Sequence, residues 1–511
     1  MTEHIKRFKF INNNTTGFVI PTLLMVIVVF SIFMVTVGTI MGVTLGDAAR
    51  NQSKQTAFNI AEAGVNYYLW HISHDKTDFK DGNSTPNTPD PILGYGPYVH
   101  DYRDGTGNVI GTFTLYIKPG NIGSNVATVQ SEGKMAGLNG SSRTIKAQIG
   151  APSFSTYSVV SNSQLWFGDT ETADGPVHSN VGVKMDGPNN SDVTSANATY
   201  VPTNSGPGSG SSKPGVWCDT GITNPNCVSR SKASWRYPVP AINFNNITAD
   251  LCQLKKTATN NQASNACNLR PARTAGYLPP RATGFNLRNG YLITLNNNGT
   301  YNLSNVNNER DTRSSYSNAL TTSVVANNIA IPANGVIFAE DNVWVRSEAS
   351  GFDGRVTIAS ARIAVSGSTT LTVADNLVYD DQYSGNDVIG LIAEDNVDIA
   401  PYVPVPLRVH AAMIAQTGRV QFRPQYRENG SSTIGYVNSS QRLDFFGSVA
   451  SEEQWTWSWI RCGSQNSPSC WSGFKHNATK YDENLRYSPP PFFPVTNTYD
   501  ILEWREVISA A

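Results

Sequence analysis

Eight carboxylates are the obvious candidates for chemistry in this 511-residue chain: Asp380, Asp381, Asp387, Glu394, Asp395 and Asp398, with Glu340 and Asp341 in an earlier, similar phrase. Two chemistries use such groups. A positioned acid and base hydrolyse glycosidic bonds, and clustered carboxylate oxygens hold calcium. Their number suits both, but their spacing suits neither. A calcium loop with Asp or Asn at alternate positions and Glu at the twelfth is absent, and turn residues bonding their local backbone account for most of the eight. The expectation is therefore no catalytic residue, no cofactor and no enzyme, with Asp380, Asp381 and Asp387 kept as calcium candidates. His178 has no Ser or Asp partner that the sequence can place beside it, so a structural role is expected. Trp455, Trp457 and Trp459 alternate with Thr456 and Ser458, which puts three indoles on one face of a strand. Such a face packs as a satellite core or stacks on sugar rings; packing is preferred, and glycan contact stays open.

The elements that must carry these groups begin at the N-terminus. A basic leader (Lys6, Arg7, Lys9) ends at Gly17, and Phe18 opens 28 residues without charge, through Leu45, before Asp47 and Arg50. A hydrocarbon core of roughly 30 Å needs about 20 apolar residues, so the run can span a membrane. The basic side should stay cytoplasmic, leaving the bulk of the chain extracytoplasmic. A secretory signal peptide has a shorter apolar region followed by its cut site; here the small residue precedes the run. Gly38, Gly42 and Gly46 leave a stripe without side chains on one helical face. It suits close helix packing, follows from the abundance of glycine in membrane helices, or marks a place where the helix melts locally. The helix continues amphipathically through Phe58, Ala61, Val65, Tyr68 or Leu69 and Ile72, to about His74, on the order of 85 Å in all. Pro21 fits only in its first turn.

Gly17-Phe18-Val19-Ile20-Pro21-Thr22 with this run resembles a type IV prepilin. The resemblance implies cleavage after Gly17 by a prepilin peptidase, methylation of Phe18, and retention of the helix for contact with other pilins and the assembly platform. One residue departs: Thr22 stands where major pilins carry a glutamate, as is usual in minor pilins. Ala57-Phe58-Asn59-Ile60-Ala61-Glu62-Ala63-Gly64-Val65 is similar to the "AF-x-x-AEAG" motif of PilX-type minor pilins. Glu62 itself reads as a solvated or helix-packing position. Gly175-Pro176-Val177-His178-Ser179-Asn180, Asp387 to Glu394 and the ending Tyr481 to Pro494 resemble phrases in the large surface domains of some such proteins. A minor pilin acting at the tip or in priming is thus one expected function. The alternative is a membrane-anchored extracellular adhesin, with a polysaccharide-active enzyme a distant third.

The rest bounds the architecture. A net charge of -1 leaves no basic excess for nucleic acid. Six cysteines in an exported chain, Cys218 and Cys227, Cys252 and Cys267, Cys462 and Cys470, read as three local disulfides in place of metal, although fifteen pairings are open. Alternation predicts strands at 112–117, 126–129 and 143–149. Gly335 to Val343 recurs as Gly390 to Val397, with a weaker copy at Val373 to Leu377, which suggests a β-solenoid and leaves a β-sandwich open. The expected fold is α+β. It has a leader (1–17), a transmembrane pilin helix (18–75), a small antiparallel strand module (76–150), and a large all-β domain (151–450) with an Asn, Ser and Gly-rich insertion at about 188–330. An aromatic, Pro-rich strap (451–511) lies along that domain.

Overall fold

The uncharged run and the amphipathic run form one helix, α1, from Val19 to His74. The structure, a computed structural model, describes residues 19–507 except 77, 85–87, 122, 138–140, 169, 204–209, 219–233, 282–288, 311–318, 382, 425–434, 437–440, 461–470 and 496–498, with backbone alone at 246–250, 435–436 and 460. Gly17, Phe18, Cys227, Cys462 and Cys470 lie outside the described residues. The second half of α1 buries Ala57, Ile60, Ala61, Gly64, Val65, Tyr68 and Ile72, a stripe at three- and four-residue spacing.

That stripe packs on an antiparallel meander of β1 (Tyr95–Arg103), β2 (Val109–Pro119), β3 (Val126–Met135) and β4 (Ser142–Gly150). Its partners across the interface include Phe113, Leu115, Ile117, Val129, Ile145 and Ile149. Strand β3 lies so close to the helix that a Cβ on Gly133 would fall 2.2 Å from the Ala57 carbonyl oxygen. The three expected strands lie within β2, β3 and β4; β1 was not foreseen. A fifth strand, Asp500–Val507, adds antiparallel to β4 with Asp500 opposite Gly150. This corrects the expected strap: its last strand belongs to the helix-bearing module, which the chain leaves at Gly150 and re-enters at Asp500.

Between those points lies a large β-rich region of several sheets, none closed into a barrel. From Val336 the chain alternates between two ladders. Val336–Ala339, Arg355–Ser360, Val388–Ala393, Leu407–Ala415 and Arg442–Ser451 pair in parallel in one. Val343–Ser347, Leu371–Val373, Val397–Ile399 and Val420–Phe422 do so in the other. Strands of the first ladder are apolar on both faces, as parallel strands covered on both sides must be. Ile337, Ile358, Leu391, Met413, Val449 and Val159 stack in register into one core. Their neighbours Phe338, Ala359, Ile392, Ile414, Ala450 and Val160 stack into a second.

Turn asparagines tie successive turns of chain together. The Oδ1 atoms of Asn342, Asn376 and Asn396 accept from the backbone N–H of Thr370, Arg408 and Arg419 at 3.1, 2.9 and 2.9 Å. Local bonds were expected; the bonds reach the adjacent turn. The repeat also needs correction. Its two strong copies lie two strands apart in the ladder, with Arg355–Ser360 between them, while Leu371–Val373 sits in the other ladder, opposite Val343–Val345.

The chain order within the first ladder is unusual. It enters mid-ladder at Val159–Ser161, runs outward through Val177–Ser179 and Val193–Ser195 to Trp235–Arg236, then resumes at the far end with Tyr277–Leu278 and returns to the middle. Helix α2 (Asn246–Ala258) makes the crossing, burying Leu251, Leu254 and Ala258 against the second core. So 188–330 is not a simple insertion, since Val193–Ser195, Tyr277–Leu278 and Gly290–Leu295 are ladder strands.

Candidate functional site

The surface that most needs a partner is the first half of α1. Val19, Leu23, Leu24, Phe30, Ile32, Phe33, Ile40 and Leu45 are all more than half exposed, and this helix is long and apolar enough to cross a membrane. Its hydroxyls do not interrupt that surface. Ser31, Thr36, Thr39 and Thr44 donate to the carbonyls of Ile27, Ile32, Val35 and Ile40 at 2.7 to 2.9 Å, so the polar groups are satisfied inside the helix, as an apolar phase demands. Gly38, Gly42 and Gly46 have nothing within 4 Å of where a Cβ would stand; the stripe is open in the single chain. Thr22 donates to the Val19 carbonyl at 2.9 Å. Charge returns with the exposed Asp47 and Arg50, and burial against the sheet begins at Ser53. Glu62 is exposed.

The carboxylates are taken up by the fold. Glu340, fully buried, accepts from the Lys255 ammonium at 2.7 Å, the Tyr277 hydroxyl at 2.6 Å and the Ala364 N–H at 3.1 Å. Lys255 also donates to the Cys267 carbonyl at 2.7 Å. No charge pattern in the sequence marks Lys255; only the folded crossing brings α2 over Glu340. Asp341 holds Arg281 Nε at 2.8 Å. Glu394 accepts the Arg362 N–H at 2.8 Å, and Asp398 accepts from Gln421 at 2.9 Å. Glu309, unremarked in sequence, gathers Trp344, Tyr402 and Arg423 at 2.7 to 2.8 Å. Burial pushes its pKa up, but Arg423 and the hydrogen bonds outweigh that and hold it low.

Among the three calcium candidates, Asp380 is exposed and Asp387 is buried. Asp387 accepts the N–H groups of Gly354 and Asp381 at 2.7 and 3.0 Å. Burial, then a hydrogen bond with the Asp381 carboxyl, pushes its pKa up to about 6. Burial acts upward on Asp381 too, but bonds from Ser384, Asp387 and Asn386 bring it below the usual value. The pair braces a loop. Among the described residues no group of three or more His, Cys, Asp or Glu side chains forms a metal cluster.

His178 is buried, with Nδ1 2.9 Å from Thr194 Oγ1 and Nε2 3.0 Å from Asn180 Oδ1; burial lowers its pKa despite Asn180. Cys252 and Cys267 form a disulfide across the α2 excursion, with Cα atoms 5.5 Å apart, and Cys218 is also disulfide-bonded. Trp455 and Trp457 are 2% and 0% exposed and meet edge to face at 5.5 Å within the first core. This removes both from glycan contact. Trp459 is half-buried, donates to the Phe422 carbonyl at 2.9 Å and lies under Arg419.

No family model matches the chain, and no curated protein matches it. Among solved structures it is similar to the crystal structure of competence-associated pilin ComZ from Thermus thermophilus, at 13% identity and a TM-score of 0.31, over 89% of this chain and 98% of that one. A score of that size does not establish a shared fold.

Proposed function

We propose that this protein is a non-enzymatic minor pilin of a type IV pilus-like filament, acting at the tip or in priming, with its β-rich head presented for surface contact. One observation carries the reading: a single helix whose second half is packed on a small antiparallel sheet projects an uncharged, internally satisfied first half that no described residue covers. Such a surface is stable only in lipid or among like helices. Its proposed partners are therefore the cytoplasmic membrane, other pilins, the assembly platform and, for the leader, a prepilin peptidase. The N-terminus would stay cytoplasmic and the head extracytoplasmic. The head's bulk favours a tip over a shaft, and the absence of a carboxylate at Thr22 agrees with that. The engagement of Glu340, Asp341 and Asp387 by protein groups supports a role without catalysis or cofactor.

The test is the mass and N-terminal sequence of the mature chain from its own cells. A chain starting at methylated Phe18, found in sheared filaments, is the expected result. A chain that keeps residues 1–17 and stays with the membrane fraction would replace this reading with a tethered adhesin.

A further inference from the structure

A cleft of about 550 Å3 opens on the head where stretches far apart in sequence meet: Asp174–Pro176, Asn190–Ser191, Tyr383, Phe446, Lys480–Asn484 and Arg486–Tyr487. Its volume lies within the roughly 300–1,000 Å3 of small-molecule sites. Tyr383 is 61% exposed at its rim and meets the buried Phe446 edge to face at 5.4 Å. The Lys480 ammonium lies over both rings, 4.9 and 5.8 Å from their centroids, and has no ion pair or hydrogen bond among the described residues. Asp482 is buried and accepts from the Asn484 backbone and side-chain nitrogens at 3.1 and 3.0 Å. Asp174 accepts from the Asn190 side chain.

The walls are held in place independently of any ligand. Gly385, at φ +76°, lies against Asn484, where a Cβ would come within 2.6 Å of Cγ; this packs the Tyr383 loop onto the turn at Glu483–Arg486. The foot of that loop is pinned by Asp387.

The lining carries four aromatic rings, three of them tyrosines, with Pro176 as a further apolar side chain. Amphipathic rings beside carboxylates, amides, the Arg486 guanidinium and the Lys480 ammonium suit a ligand with apolar C–H faces and a hydroxyl edge. We propose that this cleft binds a pyranose residue of a glycan, with Tyr383 as the stacking platform and Lys480, Glu483 and Asn484 bonding its hydroxyls. The site is distinct from the tryptophans that the sequence suggested, and its binding does not depend on whether α1 packs in a filament.

The experiment is saturation-transfer NMR on the full chain in a zwitterionic, sugar-free detergent, with cellobiose, maltose, chitobiose and lactose each at millimolar concentration. Transfer to the ring C–H protons of at least one is expected, with affinity about tenfold weaker or worse in Tyr383→Ala and weakened also in Lys480→Gln. Tyr383 is exposed, so the variant should fold, which circular dichroism checks; should it not, Lys480→Gln decides alone. No transfer from any of the disaccharides, or transfer that the folded variants leave unchanged, overturns the proposal.

Discussion

Lys255 and Glu340 are each fully buried, 2.7 Å apart, and belong to segments joined only by the fold. A buried pair of this kind is weak evidence for net stability, because desolvation offsets its attraction, but removing one partner strands the other's charge. Lys255→Met should destabilise the head by about 3–5 kcal/mol, read from denaturant unfolding. Adding Glu340→Gln should recover part of that loss, and simple additivity of the two changes would show that the contact is not coupled. Asp387 gives a pH dependence of opposite sense to the usual salt-bridged acid. With a folded pKa of about 6 above an unfolded value near 3.9, the native state binds more protons across that window. Its contribution is present below about pH 4 and lost as pH rises through 6. The carboxyl carbon of Asp387 should titrate near 6 by NMR, and the downward slope of stability between pH 4 and 6 should flatten in Asp387→Asn.

At the scale of elements, the strand Asp500–Val507 decides what the small module is. Without it β4 becomes an edge, with unpaired N–H and C=O groups able to template another chain. Truncation after Pro494 should therefore speed amide exchange along Ser142–Gly150 and promote self-association seen by size exclusion. Unchanged protection of Ala147 and Ile149 would show that this strand is dispensable. The segment before it is a clasp. Arg355 donates to the Ser488 and Pro489 carbonyls at 3.1 and 2.6 Å, Thr357 to Pro491 at 2.6 Å, and the Phe492 N–H to Gly123 of the module at 2.9 Å. Head and module are thus joined at both Gly150 and Asp500, which pair directly, and the proline run between them turns at Pro490–Phe493, where the Phe493 N–H donates to the Pro490 carbonyl at 3.1 Å and Phe492 takes a φ of +53°.

For the molecule as a whole, the proposed function assigns location to α1 and contact to the head. Ile32 lies near the middle of the uncharged run and is 62% exposed. Ile32→Asp places a charge at the centre of the proposed span, at a cost of about 2.5–3.5 kcal/mol on insertion scales. The variant should lose carbonate-resistant membrane association while the head's unfolding midpoint stays unchanged. Retention in the membrane would mean that another part of the chain does the anchoring.

Local periodicity carried a good deal. The uncharged run, the three-and-four spacing from Ala57 to Ile72 and the alternation at 112–117 and 143–149 each specify an element by residues that are neighbours in sequence, because side-chain direction repeats every 3.6 or 2 residues. The phrase shared by Gly335 to Val343 and Gly390 to Val397 suggested repeated strand-turn units, with solenoid and sandwich both open, and did not show that its copies are two strands apart. Contacts between distant segments left no such mark. Asp500–Val507 reads as the tail of the Pro-rich strap until β4 accepts it. Lys255 is an unremarkable lysine until α2 crosses the ladder, and the alternating Trp455 and Trp457 fit a sugar platform or a core equally until Phe445 and Phe167 are seen beside them. The cleft at Tyr383 and Lys480 draws its walls from residues some 300 positions apart. A sequence pattern reports which face an element buries, while the identity of what buries it is settled only when the chain closes on itself.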